Sequence, residues 1–137
     1  MKIFLDTADT DTIRKYFETG LVDGVTTNPS LIMKAGRVPD DVYQEIKDIG
    51  VTDISMEVMG DANEMYNEGL RLVDKFGSVS TIKVPCTREG LKACRAFSEE
   101  KIRTNVTLIF CAAQAVLAAK SGATYVSPFV GRLDDQS

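Results

Sequence analysis

Ser80-Thr81-Ile82-Lys83-Val84-Pro85 is a short, apolar, β-branched run with one lysine inside it. It reads as a strand over residues 80–84. Before it, Met65, Tyr66, Gly69, Leu70, Val73 and Phe76 recur at the spacing of one helical face across residues 62–76, and Gly77 ends that helix. After it, Thr87 is placed to cap a helix over residues 88–100, with Leu91, Cys94 and Phe97 facing inward. Helix, strand and helix joined by short turns are the unit of a parallel β/α fold, because parallel strands need helical crossovers.

The alternation extends in both directions. Further strands are expected over residues 2–7, 24–28, 53–58, 104–108 and 124–128, and further helices over 9–19, 39–49 and 110–121. Asp9 or Thr10 can cap the first helix, which turns Ile13, Tyr16 and Phe17 to one face. Pro39 suits the first turn of the second, which turns Val42, Ile46 and Ile49 inward. The helix over 110–121 is apolar nearly all round, so it is expected to be buried on more than one side, as in an oligomer contact. The strands are apolar runs rather than strict alternators, as when both sheet faces are covered. No linker, low-complexity segment or charge block divides residues 1–137, so a single domain is expected.

Composition narrows the function. Of 137 residues 44% are hydrophobic, enough for a real core, and the net charge is −4 without any basic run. That argues against nucleic acid or an anionic membrane surface as a partner. Cys86, Cys94 and Cys111 form no CxxC pair, and there is no histidine. A disulfide framework or zinc site is therefore not expected, and a reducing cytoplasm is. The N-terminus reaches Asp6 too soon for a signal peptide, and the longest apolar stretch, residues 106–119, is too short to span a bilayer.

An open doubly wound sheet and a closed (β/α)8 barrel both fit the alternation. The polar residues favour the barrel. Asp6, Asn28, Glu57, Lys83, Thr107 and Ser127 each lie at or near the C-terminal end of a different strand, the arrangement of a barrel mouth. An open sheet gathers its ligand groups at one switch point, and no GxGxxG or P-loop is present.

Lys83 carries the chemistry. A strand would point it inward, where burial disfavours the ammonium. A neutral amine can attack a ketone and form a Schiff base. Asp6 could move protons as a carbon–carbon bond breaks, Glu57 and Thr107 could hold the water that forms and hydrolyses the imine, Asn28 could bind hydroxyls, and Arg132 matches a phosphate. Each residue alone has an ordinary account: a lysine that snorkels to the surface, a turn-capping Asp6, an Asn28-Pro29 turn, a surface ion pair at Arg132. Cys86 reads as a small apolar filler.

The chain resembles the transaldolase family. Gly24-Val25-Thr26-Thr27-Asn28-Pro29-Ser30-Leu31-Ile32 looks like its N-terminal signature, and Ile82-Lys83-Val84-Pro85-Cys86-Thr87-Arg88-Glu89-Gly90 like its active-site lysine signature. Leu5-Asp6-Thr7-Ala8, Asn105-Val106-Thr107 and Ser127-Pro128-Phe129-Val130-Gly131-Arg132 also match, in order. The resemblance implies a TIM (β/α)8 barrel of the class I aldolase type with its Schiff-base lysine on the fourth strand. It implies Lys83, Asp6, Glu57 and Thr107 as catalytic residues and Thr26, Asn28, Ser127, Phe129 and Arg132 around sugar phosphate substrates. No metal or organic cofactor is implied, and a homo-oligomer is. The compact loops look like the small subfamily, which holds transaldolases and fructose-6-phosphate aldolases. The aldolase branch tends to carry glutamine where this chain has Glu57 and tyrosine where it has Phe129. Both positions here look like the transaldolase branch of the pentose phosphate pathway.

Six strands and five helices can be counted, whereas a closed barrel needs a sixth helix and two more β/α units. The chain is therefore expected to be part of a longer enzyme. The alternatives are completion by another chain and a non-catalytic remnant that binds partners or sugar phosphate.

Overall fold

The computed structural model describes residues 1–131. In chain order the elements are β1 (Phe4–Asp6), α1 (Thr10–Phe17), β2 (Gly24–Thr26), α2 (Pro29–Lys34), α3 (Pro39–Ile49), β3 (Ile54–Glu57), α4 (Ala62–Phe76), a single 3-10 turn (Gly77–Val79), β4 (Ser80–Pro85), α5 (Arg88–Glu99), β5 (Thr104–Ile109), α6 (Ala112–Lys120) and β6 (Tyr125–Pro128). The strands lie in the sheet in chain order, β1-β2-β3-β4-β5-β6. The pairs β1–β2, β2–β3, β4–β5 and β5–β6 are parallel. A doubly wound sheet reverses its strand order at a switch point; this one does not. Strictly sequential parallel strands, the first five each followed by a helix, make the fold α/β and TIM-barrel-like, with six of its strands among the described residues.

The helices over 39–49 and 62–76 begin and end where the sequence places them. Two points of the sequence reading are refined within this chain. Asn28-Pro29 opens a helix rather than a bare turn: Asn28 Oδ1 accepts the Leu31 N–H at 2.9 Å and Pro29 occupies the first turn of α2. The apolar helix α6 is not buried on several sides within this chain. Only its Ala118 is buried, while Val116 and Leu117 are 65% and 52% exposed. No helix of the described residues is long and apolar enough to cross a membrane.

The chain divides into two compact units, Met1–Glu57 with Arg71–Thr81, and Val58–Leu70 with the residues from Ile82 onward. In the first, Ile13, Val25, Ile32, Val42, Ile46 and Ile54 are fully buried. Tyr43 of α3 meets the Phe76 ring edge-on at 5.8 Å, and Lys47 Nζ donates to the Phe76 carbonyl at 2.9 Å, satisfying an end group of α4. Buried Asp53 accepts from Thr81 Oγ1 at 2.7 Å. At the start of α3, Asp40 accepts from both terminal nitrogens of Arg71, at 2.9 and 3.0 Å, and from Lys75 at 2.8 Å.

In the second unit, Gly69 gives α4 the room to approach α5. A Cβ there would lie 2.3 Å from the Phe97 ring and 3.3 Å from an Ile82 methyl. Ile82 therefore points from β4 into the helix layer. Glu89 of α5 reaches back to accept the Ala62 N–H at 2.9 Å and so caps α4, a bond that with Lys92 holds its carboxyl below the usual range.

The Arg71 hydrogen bonds, with Lys75 adding and burial opposing, bring the Asp40 carboxyl from its ordinary 3.8 down to about 2. A carboxyl with a lowered folded-state pKa stabilises the fold above its unfolded value, and that stabilisation disappears as pH falls through the folded value. The Asp40 contribution should thus be complete above pH 3.8 and lost on the way down through about 2. Urea unfolding across that window should show Asp40→Asn losing less stability than the parent protein. The difference should be about 1 kcal/mol or less, since solvent screens the pair.

Candidate active site

Four of the predicted site residues lie in the first unit. Asp6 ends β1, and its Oδ1 accepts from the Thr26 hydroxyl at 2.9 Å; the two residues are register partners. Asp6 does not cap α1. Asp9 does, accepting the Asp11 N–H at 3.2 Å and the Thr12 hydroxyl at 2.6 Å, and the Thr12 bond holds its carboxyl below the ordinary value. The carboxylate of Asp6 is thus steered by one hydroxyl at a strand end, where a ligand can meet it. Asn28 commits its side-chain oxygen to the start of α2. Glu57 is the last residue of β3 and is half-buried.

The second unit holds Lys83, Thr107, Ser127 and Phe129. Lys83 sits mid-strand in β4 and is 6% exposed. A side chain that snorkelled into water would not be. Its neighbour Ile82 faces the helix layer, so strand alternation turns Lys83 to the opposite face. In register with it on β5 is Asn105, and two residues on, opposite Pro85, is Thr107. Lys83, Asn105 and Thr107 therefore share one face. Asn105 is 2% exposed and accepts from Ser127 Oγ at 2.7 Å. Thr107 is 2% exposed, and its hydroxyl has no hydrogen-bond partner among the described residues. A buried, unpaired hydroxyl is costly and marks a place for a water or ligand.

Phe129 is half-buried, its ring edge-on to Phe110 at 5.8 Å. Its N–H donates to the Ile109 carbonyl at 2.9 Å. Arg132, predicted as a phosphate anchor, lies outside the described residues. Burial, then the neighbouring Cys111, pushes the Cys86 thiol up and away from thiolate. The loop after Lys83 is tight. Thr87 accepts the Gly90 N–H at 3.0 Å, and a Cβ on Gly90 would lie 1.8 Å from the Pro85 carbonyl oxygen, so only glycine lets α5 start there. No group of three or more Cys, Asp and Glu side chains among the described residues could hold a metal ion.

Asn105 is the neighbour of Lys83 that sequence reasoning did not single out. Its signal was an amide inside a largely β-branched strand, in register with the buried Lys83.

A family model described as Transaldolase/Fructose-6-phosphate aldolase matches residues 3–137. A "Probable transaldolase" of Methanococcus maripaludis is 58% identical over 136 residues, covering 98% of this chain and 63% of the relative. One from Geobacter sulfurreducens is 58% identical over 138 residues, covering 100% and 64%, and one from Nitrosopumilus maritimus 54% over 136, covering 98% and 61%. The chain thus spans somewhat under two thirds of the length of these relatives. Among solved structures, the carboxyl transferase domain of Rhizobium etli pyruvate carboxylase superposes on 98% of this chain and 30% of its own, with a TM-score of 0.59 at 13% identity. That likeness concerns the fold alone.

Thr107→Val tests the unpaired hydroxyl. Valine has nearly the same shape, so a Thr107 without a protein partner should be replaced at no loss. The variant should be as stable as the parent, or more stable by up to about 1 kcal/mol, in urea unfolding. A loss of about 1 kcal/mol or more would mean that the hydroxyl holds a hydrogen bond to the protein.

Proposed function

Because the chain belongs to the transaldolase/fructose-6-phosphate aldolase family, we propose that it acts in a transaldolase, carrying a dihydroxyacetone unit from a ketose phosphate to an aldose phosphate through a Schiff base on Lys83. The observation that carries this reading is the buried Lys83 on one strand face with, on the neighbouring strand, a buried Thr107 hydroxyl that has no partner among the described residues. The free amine is the nucleophile that attacks a ketone carbonyl to give the imine. Imine formation releases one water and hydrolysis consumes one, so a polar group that holds water beside the amine serves both steps.

In this reading Lys83 attacks the carbonyl of fructose 6-phosphate or sedoheptulose 7-phosphate. Asp6, oriented by the Thr26 hydroxyl, takes the proton of the substrate hydroxyl as the carbon–carbon bond breaks and the aldose phosphate departs. The three-carbon unit stays on Lys83 and attacks the acceptor aldehyde; Asp6 returns the proton. Glu57 and Thr107 hold the water. Asn28 donates its amide to the bound intermediate, and Ser127 with Arg132 lines the phosphate side. The step requires no metal or organic cofactor and belongs to the pentose phosphate pathway, in the cytoplasm, in a homo-oligomer.

The second reading is a fructose-6-phosphate aldolase, in which a proton rather than a sugar accepts the three-carbon unit. Phe129 and Glu57 favour transfer. Phe129 has no phenol to donate a proton, and its ring is edge-on to Phe110.

Intact mass after incubation with fructose 6-phosphate and sodium borohydride should show one reduced dihydroxyacetone unit on the protein, absent from Lys83→Met. An adduct that survives in Lys83→Met would sink the mechanism, and no adduct on the parent would favour a binding role without turnover. Adding an acceptor aldose phosphate before the borohydride should drain the adduct into a new ketose phosphate. Accumulation of free dihydroxyacetone instead would identify the aldolase.

A further inference from the structure

Between the register pairs Val106↔Val126 and Ile109↔Pro128, β5 has one residue more than β6. An extra residue in one strand is a β-bulge. Leu108 sits in it with a φ of 61°, in the left-handed region that residues with a side chain seldom adopt. Glycine is the usual occupant of such a position. Hydrogen bonds fix the strand on both sides of it. The Cys86 N–H donates to the Thr107 carbonyl at 2.9 Å, toward β4. The Phe129 N–H donates to the Ile109 carbonyl at 2.9 Å, where pairing with β6 resumes.

The bulge has a chemical effect. Had the register of Asn105↔Tyr125 and Val106↔Val126 continued, Thr107 would stand opposite Ser127. Two hydroxyls side by side on one sheet face hydrogen-bond to each other. Instead Ser127 donates to Asn105 at 2.7 Å, and the Thr107 hydroxyl is buried without a partner among the described residues.

We propose that Leu108 is a positioning residue, whose left-handed bulge withholds the Thr107 hydroxyl from Ser127 and keeps it open for the water of imine formation and hydrolysis. The role of that water rests on the reading given under Proposed function; the withholding of the hydroxyl does not. A backbone held in a sparsely populated conformation beside a reactive group is a recurrent way to pre-orient it.

The experiment compares Leu108→Gly with Leu108→Val. Glycine accepts the left-handed conformation and should keep the rate of borohydride-trapped imine formation within about twofold of the parent. A β-branched residue resists that conformation, so Leu108→Val should slow imine formation and hydrolysis about tenfold or more, with the KM for the ketose phosphate unchanged. In a Thr107→Val background the same Leu108→Val change should have no further effect on those rates, since both changes act through one hydroxyl. The proposal is overturned if Leu108→Val matches the parent, if Leu108→Gly is slowed equally, or if the loss persists in the Thr107→Val background. Should Leu108→Val not fold, Leu108→Thr, also β-branched, carries the same comparison. If the parent itself traps no imine, the mechanism under Proposed function is at fault. A crystal structure of the β-branched variant then decides this inference: Thr107 and Ser127 hydroxyls in hydrogen-bond contact support it, and an unpaired Thr107 overturns it.

Discussion

The two-residue period of β4 is the constraint on which the rest of the molecule depends. Ile82 must face the helices, because Gly69 and Phe97 leave a slot that it fills. Strand geometry then turns Lys83 the other way. An apolar packing requirement on one face thereby determines where an amine stands on the other. The surrounding joints serve the same placement. Gly69 lets α4 close on α5, Glu89 caps α4 from α5, and Gly90 lets α5 begin against the Pro85 carbonyl. A change at any of these glycines would reach the lysine through the backbone, without touching it.

Much of the fold was legible because hydrophobic period and end signals agreed. The helices over 39–49 and 62–76 have Pro39 at one start and glycine after each end, and their bounds match the structure. The face of α4 was read one step off. The buried stripe is Met65, Gly69, Leu72 and Phe76, while Tyr66, Leu70 and Val73 are half-buried. An apolar surplus on a helix leaves several stripes open, and only the shape of the opposing surface chooses among them. The short helix α2 was not legible. Six residues give too few turns for a period, and Asn28-Pro29 serves a turn as well as a helix start. Helix α6 was hard to read for the opposite reason: it is apolar nearly all round, so its sequence does not say which side the chain covers.

The candidate site was legible as far as strand membership goes, with Asp6, Lys83 and Thr107 lying on the expected strands. It was not legible where conformation does the work. Leu108 is an ordinary strand residue by type, and no glycine marks the bulge. Asn105 was visible as a residue but not as a neighbour, because register between β4 and β5 comes from the folded sheet. The pairings Asp6 with Thr26 and Ser127 with Asn105 follow the same rule. Each is a hydrogen bond between adjacent strands, and side-chain type alone does not predict which strand is adjacent.

Strand order that follows chain order also bears on how the chain finds its structure. The pairs Phe4↔Gly24, Ile82↔Thr104 and Asn105↔Tyr125 each close only the single helical crossover between consecutive strands. Short loops cost little entropy to close, and contacts at small sequence separation favour fast folding. Each new strand finds a formed edge beside it, so ordering can advance from one end while the chain is still being synthesised. The same logic leaves the most recent strand as an open template at every stage. Until the next strand arrives, its unpaired backbone groups are where a growing chain is most exposed to mispairing.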